Sequence, residues 1–391
     1  MKKNIFFYLI SLTFLSLFLV NTSTASQTIP ILTYHSFCKK NYRRINIPPQ
    51  QFLEQLQFLA SQGYQVIPLE RLIEALKLKL PLPQKSVVIT IDDGCKTVYE
   101  VAFPYLKRFN FPATLFLTLN FVNKDFSWEK IRMMEASKII DTQGHSKTHY
   151  PRALVRNFKT EIKKSYLKQL ERELLESKKI IEKKLNKRVK YLAYPYGKYD
   201  QVTIEKAKEY GYEALLACHG GTNTLKADPF NLNRLEIHNN LDLKKFASIL
   251  NIKPLEVDYL NPPLATWTFY KKPKIFALLK EPVNLSNYQI TATLDEKTLP
   301  YNYDQETKKL SLILKAPLIQ GTHFVAIQLI NKHTLQVEKE VGWVFTRQGI
   351  PFITVKSIEI FLKILTLLAI GSILVIIIIK TIKKTPFKDL R

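Results

Sequence analysis

The sequence predicts an α/β fold with a parallel sheet, followed by a small all-β domain and a C-terminal transmembrane helix. Between Gln27 and about Leu255, strand-like apolar runs alternate with amphipathic helical segments, which is typical of a parallel sheet flanked by helices. After Val257 the runs become short and are separated by polar turns, which indicates a β-sandwich. A long apolar stretch follows near the C-terminus. Three parts of different architecture are therefore expected in this chain.

The first 26 residues have the three regions of a secretory signal peptide. Two lysines near the start are followed by an apolar stretch from Ile5 to Val20 and then by small polar residues up to Ala25. We expect cleavage near Ala25, so that residues 1–26 form a signal peptide, with an uncleaved anchor helix as the alternative. In both cases most of the chain is predicted to be exported.

Composition and charge limit the classes of protein to consider. Hydrophobic residues make up 46% of the chain, which is enough for one large or two medium cores and excludes a wholly disordered protein. Three cysteines are too few for a disulfide scaffold or a zinc finger. The net charge of +25 calls for anionic partners, but nucleic acid is not expected for an exported chain.

Helices in the α/β domain, residues 27–256, are predicted to end just before buried strands. A glycine or an asparagine lies at three such ends, namely at Gly63, Asn110 and Gly211. These residues readily adopt the left-handed conformation that ends a helix. The longest helix is expected between about Phe158 and Lys187. Its many lysines predict a solvated face or, alternatively, a surface for anionic lipid or an acidic cell-wall polymer.

Residues 257–350 are predicted to form the all-β domain. Asn261-Pro-Pro263 marks the change from the α/β pattern to short strands. Runs such as Val341–Phe345 alternate apolar and other residues as short strands do. The domain has no cluster of catalytic residue types, and we expect His323 and His333 at its surface. A spacer is the preferred role.

Residues 358–379 predict a transmembrane helix. No charge occurs between Ile364 and Ile379, and the whole stretch is close to the roughly 20 apolar residues that cross a bilayer. The tail at 380–391 has four lysines and one arginine against one aspartate, and such an excess marks the cytoplasmic side. A buried core helix is the alternative. The preferred interpretation is an exported domain held by a C-terminal membrane anchor.

Two motifs in the α/β domain combine metal-ligand residue types. Asp92 and Asp93 end a buried strand that begins at Ser86, and adjacent carboxylates there are costly unless a cation or a proton holds them. His145 and His149 are four residues apart, which a helix face or a tight loop can bring together. Two histidines and one aspartate make a chemically sound site for a divalent metal. A helix-capping aspartate pair and a surface histidine pair are the alternatives.

Two further predicted strand ends carry functional residue types. Tyr194-Pro195-Tyr196-Gly197 follows one strand, and His35 follows the strand that begins at Ile31. Residues from several strand ends form the active site in a parallel β/α barrel. Several of the chain's eleven glycines also lie just beyond predicted strands, where the backbone must turn sharply or approach a ligand.

The order of these motifs resembles a known family. Ile91–Gly94, His145–His149 and Tyr194–Gly197 are similar to the three motifs of the polysaccharide deacetylases with a NodB homology domain, carbohydrate esterase family 4. Tyr34-His35-Ser36-Phe37 further resembles the branch that deacetylates poly-β-1,6-N-acetylglucosamine. The resemblance covers about Ile31 to Leu250.

This resemblance implies a distorted (β/α)7 barrel and a metal-dependent N-deacetylase of an N-acetylglucosamine-containing polysaccharide. It implies that Asp93, His145 and His149 bind a divalent metal, with zinc as the expected ion. Asp92 would be the general base that takes a proton from the attacking water. The segment Pro195–Tyr196 would provide a backbone N–H for the oxyanion, and a protonated histidine would donate to the leaving amine.

Two departures from the family pattern leave the general acid open, one at Ala193 and the other the lack of a recognisable acidic motif to orient the acid histidine. Ala193 lies where the family usually has an arginine, and we propose Arg234 as its replacement. His35 and His238 are the candidates for the acid, with His35 preferred. A disulfide between Cys38 and Cys95 is possible outside the cell.

Other functions stay open at this point. The same chemistry would fit peptidoglycan, chitooligosaccharide or an O-acetylated glycan. A non-catalytic glycan-binding protein is the alternative from another class, and the all-β domain could itself bind glycan.

Overall fold

The computed structural model describes most of residues 27–349 and a few residues near the C-terminus. The described residues are 27–38, 43–150, 154–156, 163–218, 220–349, 362–368, 372 and 375. The predicted signal peptide, the basic tail and much of the predicted span at 358–379 lie outside them. No helix in the described ranges is both long and apolar enough to cross a membrane.

Eight parallel strands of the described residues form the central sheet: the short strand Gln65–Val66 pairs with the beginning of Ser86–Asp93, and seven strands form one continuous row. In chain order the seven are β1 (Ile31–Tyr34), β2 (Ser86–Asp93), β3 (Ala113–Leu117), β4 (Ile140–Gly144), β5 (Tyr191–Ala193), β6 (Ala214–Leu216) and β7 (Leu235–Glu236). Their order in the sheet is β6-β5-β4-β3-β2-β1-β7, and every neighbouring pair is parallel. The two ends of the sheet meet where Leu216 of β6 pairs with Leu232, just before β7. This arrangement fits the distorted (β/α)7 barrel that the sequence predicted.

Helices connect these strands and cover the outside of the sheet. The α-helices of the described chain before residue 250 are Pro49–Ser61, Leu69–Leu78, Phe103–Phe109, Trp128–Ala136, Lys163–Leu170, Ser177–Leu185, Gln201–Glu209 and Leu243–Ile249. Gly63, Asn110 and Gly211 all have a positive φ, so the predicted helix ends are confirmed. The predicted long helix is described from residue 163 to residue 185, where a π-helical segment, Glu171–Glu176, joins its two α-helical parts. A second π-helical segment, Val98–Ala102, precedes Phe103–Phe109.

The all-β region is present as predicted and consists of two sheets. One sheet contains Lys253–Pro254, Trp267–Thr268, Tyr288–Leu294, Lys297–Thr298, Gly321–Asn331 and Val337–Arg347, and the other contains Val257–Asn261, Ile275–Leu279, Tyr301–Asp304 and Lys309–Leu312. Side chains from both sheets form one apolar core, in which Trp343 and Phe345 are fully buried. We call this region the second domain. His323 is buried in it, contrary to the expectation of a surface residue, because it bonds to Asp295 and to the Ile319 carbonyl.

The second domain packs directly on the barrel. Ala265 and Val344 belong to the same buried cluster as the barrel side chains. The backbone N–H of Gln201 donates to the Ala265 carbonyl (3.1 Å), and that of Leu255 donates to the Glu340 carbonyl (2.8 Å). The strand Lys253–Pro254, just before the predicted boundary at residue 257, already pairs with a strand of the second domain. These contacts do not fit the spacer role that the sequence favoured.

Glu340 is a buried carboxyl at the contact between the domains. Gln328 donates a hydrogen bond to it (3.1 Å), and it lies so close to Gly220 of the barrel that a side chain there would collide with it. Burial raises the pKa of Glu340 to about 7, which the Gln328 hydrogen bond offsets only in part. The folded protein therefore holds this proton at a pH where the unfolded chain has lost it.

This shift predicts a pH-dependent stability. The stabilisation that comes from the raised pKa of Glu340 is fully present below the ordinary glutamate pKa, about 4.3, and is lost as the pH rises through about 7. Glu340→Gln should remove this part of the pH dependence and raise the free energy of unfolding at pH 8 by about 1–3 kcal/mol. Urea unfolding at pH 5 and pH 8 measures the difference. Identical pH slopes in the two proteins would contradict the assignment.

Candidate metal centre and active-site pocket

The predicted functional residues come together at the carboxyl ends of the parallel strands. Asp92 and Asp93 end β2, His145 follows β4, Tyr196 follows β5, and His35 follows β1. Because parallel strands all point the same way, their ends share one rim of the barrel. These residues line a single pocket of about 1000 Å³.

Asp93, His145 and His149 form a compact cluster of metal-ligating atoms. One donor atom from each lies within 4.8 Å of the others. The Asp93 Oδ1 atom is 3.1 Å from His149 Nε2 and 3.6 Å from His145 Nε2. This oxygen is buried, and no aligned hydrogen-bond donor among the described residues satisfies it. Two imidazole nitrogens and a carboxylate, with room left in the pocket, fit a divalent ion that keeps an open coordination position.

The protonation of His145 is suited to metal binding. Its Nδ1 atom donates to the Ala193 carbonyl (2.8 Å), so Nε2 presents its lone pair towards Asp93. Burial lowers the pKa of His145, although Asp92 and Asp93 act in the opposite direction. A neutral imidazole fixed by a carbonyl is the usual form of a histidine ligand.

Asp93 is held as a carboxylate in the same cluster. Burial alone would raise its pKa, but the close His149 imidazole and the charges of His145 and His35 lower it. An ionised oxygen between two imidazoles is a favourable place for a cation.

The backbone of the site is strained at the residues that carry function. Asp93, Ser146, His149 and Tyr196 all have φ between +56° and +71°. Such conformations cost non-glycine residues on the order of 1–3 kcal/mol each and cluster at functional sites. Gly94, with φ of +90°, lies against the Leu117 side chain, where an added Cβ would approach to 2.7 Å. Because Ser146 and His149 have a positive φ, the histidine motif is a tight loop and not a helix face.

Glu173 holds this loop in place. Its buried carboxylate accepts hydrogen bonds from the backbone N–H of Lys147 (3.1 Å) and from the N–H and hydroxyl of Thr148 (2.9 Å each). Glu173 belongs to the π-helical segment of the long helix. The sequence interpretation missed it, because one glutamate in a charged helix carries no local signal.

Asp92 forms a buried, bidentate ion pair with Arg234. The Arg234 Nη1 and Nη2 atoms donate to Oδ1 and Oδ2 of Asp92, both at 2.7 Å, and both side chains are almost fully buried. Burial would raise the pKa of Asp92, but the charges of Arg234 and His145 hold it well below its usual range. The carboxylate is therefore ionised and fixed in orientation.

Arg234 also donates to the Ala217 carbonyl (3.0 Å) and lies 3.2 Å from Cys218 Sγ. It occupies the position behind Asp92 and does not face the pocket. Arg234 is not among the residues that line the pocket, so a role as a substrate or oxyanion contact stays a prediction. Its contact with Asp92 suits a replacement for the arginine absent at Ala193.

The two candidate acids differ in their surroundings. His35 lines the pocket, and its buried Nδ1 atom has no hydrogen-bond partner among the described residues. His238 also lines the pocket, but its Nε2 atom is 2.6 Å from Glu236 and both ring nitrogens are 3.3 Å from Arg44 Nη2. Glu236 was not singled out in the sequence, although it lies two residues before His238.

Aromatic rings and the second domain complete the pocket. Tyr196, which is 56% exposed, and Phe121 flank His149, with ring centroids 4.6 and 5.6 Å from the imidazole. Pro195 is buried beneath this loop. The second domain contributes a further wall, formed by Asp295, Glu296, Thr322, Phe324 and Val344. No pattern in the sequence predicted this contribution.

The disulfide considered between Cys38 and Cys95 is not formed in the structure, which describes both residues. Cys95 Sγ instead lies 3.0 Å from the Thr97 hydroxyl, and burial raises the pKa of its thiol. His219, the other histidine near a strand end, lies outside the described residues.

A parallel β/α barrel with an Asp-His-His cluster and a buried Asp-Arg pair at its rim is an arrangement suited to metal-dependent hydrolysis. Residues 79–215 match the family model of the polysaccharide deacetylases. Over this segment the chain is similar to that family.

Three known proteins illustrate the similarity. The chain is 27% identical over 208 residues to the poly-β-1,6-N-acetyl-D-glucosamine N-deacetylase of Staphylococcus epidermidis. The matched region covers 51% of this chain and 71% of that protein. It is 30% identical over 171 residues to the Staphylococcus aureus protein of the same name, and the matched region covers 42% of this chain and 58% of that protein. The solved structure of the Streptococcus pyogenes deacetylase PplD in complex with acetate is similar in fold, with a TM-score of 0.51, 23% identity and coverage of 57% of this chain and 99% of that one.

Proposed function

We propose that this protein removes N-acetyl groups from an N-acetylglucosamine-containing polysaccharide in a metal-dependent hydrolysis. The observation that carries the proposal is the Asp93-His145-His149 cluster beside an ionised Asp92 in one open pocket. The names of the staphylococcal relatives supply the substrate class.

The donor set favours zinc as the metal. Two histidines and one aspartate with an open position are typical of hydrolytic zinc sites. When bound, such an ion lowers the pKa of water and polarises a carbonyl oxygen. Asp93, His145 and His149 would hold it.

Asp92 is the proposed general base. Its Oδ2 atom lies 3.7 Å from His145 Nε2, so it borders the metal cluster without belonging to it. Arg234 keeps the carboxylate ionised and oriented, with the result that it can accept a proton from a water in the pocket. Because Arg234 does not reach the pocket, we assign it a positioning role.

His35 is the proposed general acid. His35 lines the pocket and its buried Nδ1 atom has no hydrogen-bond partner among the described residues, whereas Glu236 and Arg44 already engage the nitrogens of His238. A proton from His35 would go to the nitrogen of the leaving amine as the bond to the acetyl carbon breaks. The backbone N–H of Tyr196, next to Pro195, would serve the oxyanion, since the loop after β5 borders the same pocket.

A pair of variants separates the two histidines. His35→Ala should lower kcat for acetate release by about 10²- to 10³-fold, because it removes the proton donor, while His238→Ala should lower it by less than about 10-fold. Near wild-type rates in His35→Ala would transfer the role to His238 or reject the scheme.

The function itself is tested by acetate release from defined N-acetylglucosamine oligomers with β-1,6 or β-1,4 linkage, with added zinc and with chelator. Chelator-sensitive release from the β-1,6 oligomers is expected. Release from the β-1,4 oligomers alone would indicate that the substrate is a chitin-like or peptidoglycan strand. No release from either, with metal bound, would favour an O-acetyl esterase or a non-catalytic glycan-binding protein.

We also propose that the protein acts outside the cytoplasm while anchored in the cell membrane. The features that support this are the signal-like residues 1–26, the apolar stretch at 358–379 and the basic residues at 380–391. Protease digestion of intact and permeabilised cells tests the orientation. The barrel should be digested in cells whose membrane is intact but whose wall has been removed.

A further inference from the structure

The second domain reaches the pocket through a short turn. Asp295 and Glu296 connect the paired strands that end at Leu294 and begin at Lys297. Both residues have a positive φ, of 51° and 64°. A two-residue turn of this kind favours Asn-Gly, so two acidic side chains are an unusual choice there.

This turn is firmly fixed by its own domain. The Asp295 carboxylate accepts the backbone N–H of Phe324 (2.9 Å) and pairs with His323 Nδ1 (2.7 Å). His323 is 2% exposed and donates its other nitrogen to the Ile319 carbonyl (2.9 Å). Asp295 is therefore used internally, and Glu296 is the carboxylate that the turn presents.

Glu296 extends across the pocket towards the barrel. Its Oε2 atom lies 3.2 Å from Arg44 Nη1, and Arg44 in turn lies 3.3 Å from the His238 ring. The side chains of Glu296 and Arg44 are 75% and 56% exposed, so both have polar atoms available to a ligand. Glu296 and Arg44 thus offer an acceptor and several donors in the same pocket as the metal cluster.

The pocket is large enough to hold more than one sugar ring. Its volume, about 1000 Å³, is at the upper end of the roughly 300–1,000 Å³ found for small-molecule sites. Carboxylate and guanidinium groups are strong partners for sugar hydroxyls, since charged hydrogen bonds are the stronger ones.

We propose that Glu296, with Arg44, binds glycosyl units beyond the deacetylated unit and its immediate neighbour, so that the second domain selects a longer polymer over a dimer. This inference rests on the proposed function for the identity of the ligand. It assigns the second domain a positioning role in substrate binding.

The test compares oligomer binding to the full-length chain and two variants. Glu296→Gly removes the carboxylate and keeps the turn, because glycine favours a positive φ. Lys308→Gly is the matched control, since Lys308 also has a positive φ and a charge but does not line the pocket. The ligands are a β-1,6-linked N-acetylglucosamine pentamer and the dimer, measured by calorimetry with chelator present to prevent turnover.

Glu296→Gly should raise the Kd of the pentamer by about 5- to 10-fold and that of the dimer by less than about two-fold. Lys308→Gly should change neither. An unchanged pentamer Kd in Glu296→Gly, or no pentamer binding to the unmodified chain, would overturn the inference.

Acetate release is measured in a separate assay, so that a failure of this inference can be distinguished from a failure of the proposed function. In the presence of zinc, Glu296→Gly should raise KM for the pentamer and leave kcat within about two-fold. If the pentamer bound with the expected differences but no variant released acetate, the inference would stand and the proposed function would fail. An equal loss of kcat on pentamer and dimer would indicate a merely structural role for Glu296 and overturn the inference.

Discussion

His149→Asn is expected to abolish tight zinc binding and, with it, acetate release. The variant loses one of the three imidazole and carboxylate ligands, and the Kd for zinc should rise by more than about 100-fold, since even outer partners of metal ligands are worth 10- to 100-fold. Asparagine tolerates the positive φ of this position, so the loop should keep its conformation. Competition with a chromophoric chelator measures the zinc affinity.

The control for this variant is His333→Asn. His333 is exposed in the second domain, and its replacement should change neither zinc affinity nor acetate release. A zinc affinity within a few-fold of the unmodified protein in His149→Asn would show that the cluster is not the metal site.

Arg234→Leu is expected to destabilise the protein by about 3–5 kcal/mol, because it leaves the Asp92 carboxylate buried without its partner. The folded pKa of Asp92 is depressed, so the stabilisation by the pair is present above the ordinary aspartate pKa and is lost as the pH falls below it. Urea unfolding at pH 7 measures the loss. Acetate release should also fall, since Asp92 would no longer be fixed.

The double variant Asp92→Leu with Arg234→Leu separates stability from catalysis. Replacing both partners of a buried pair by apolar side chains is often close to neutral, so most of the stability should return. Activity should not return, because the base is absent. A double variant as unstable as Arg234→Leu alone would mean that Arg234 stabilises the barrel mainly through other contacts, such as that with the Ala217 carbonyl.

The parts of the fold that the sequence predicted well are those with a local cause. Asn110 and Gly211 end helices because their own conformational preferences allow a positive φ, and no distant residue is needed to know this. A buried strand, Ala113–Leu117, follows the helix end at Asn110 as expected, because a short apolar run after a helix end favours a buried strand. The residues of the metal cluster could be predicted for a similar reason, because their spacing within each motif is short.

The partners of these residues could not be predicted, because they come from distant parts of the chain. Arg234 pairs with Asp92 across 142 positions, and the sequence suggested it only through the absence of an arginine at 193. Glu173 holds the histidine loop from a helix whose surface is full of charges. The wall of the pocket at Glu296 belongs to a region with no catalytic residue types. In each case the contact depends on how whole elements pack.

The burial of Ala265 and Val344 in the barrel's own core has a consequence for how the protein can be divided. Two units that share apolar core residues lose that stabilisation together, so the barrel and the second domain should melt as one cooperative unit. A barrel cut off near residue 256 would expose the side chains that Ala265 and Val344 now cover, which favours aggregation. The segment that carries the family's motifs is thus not a self-sufficient module, and transplanting its specificity to another barrel would require the neighbouring sheet as well.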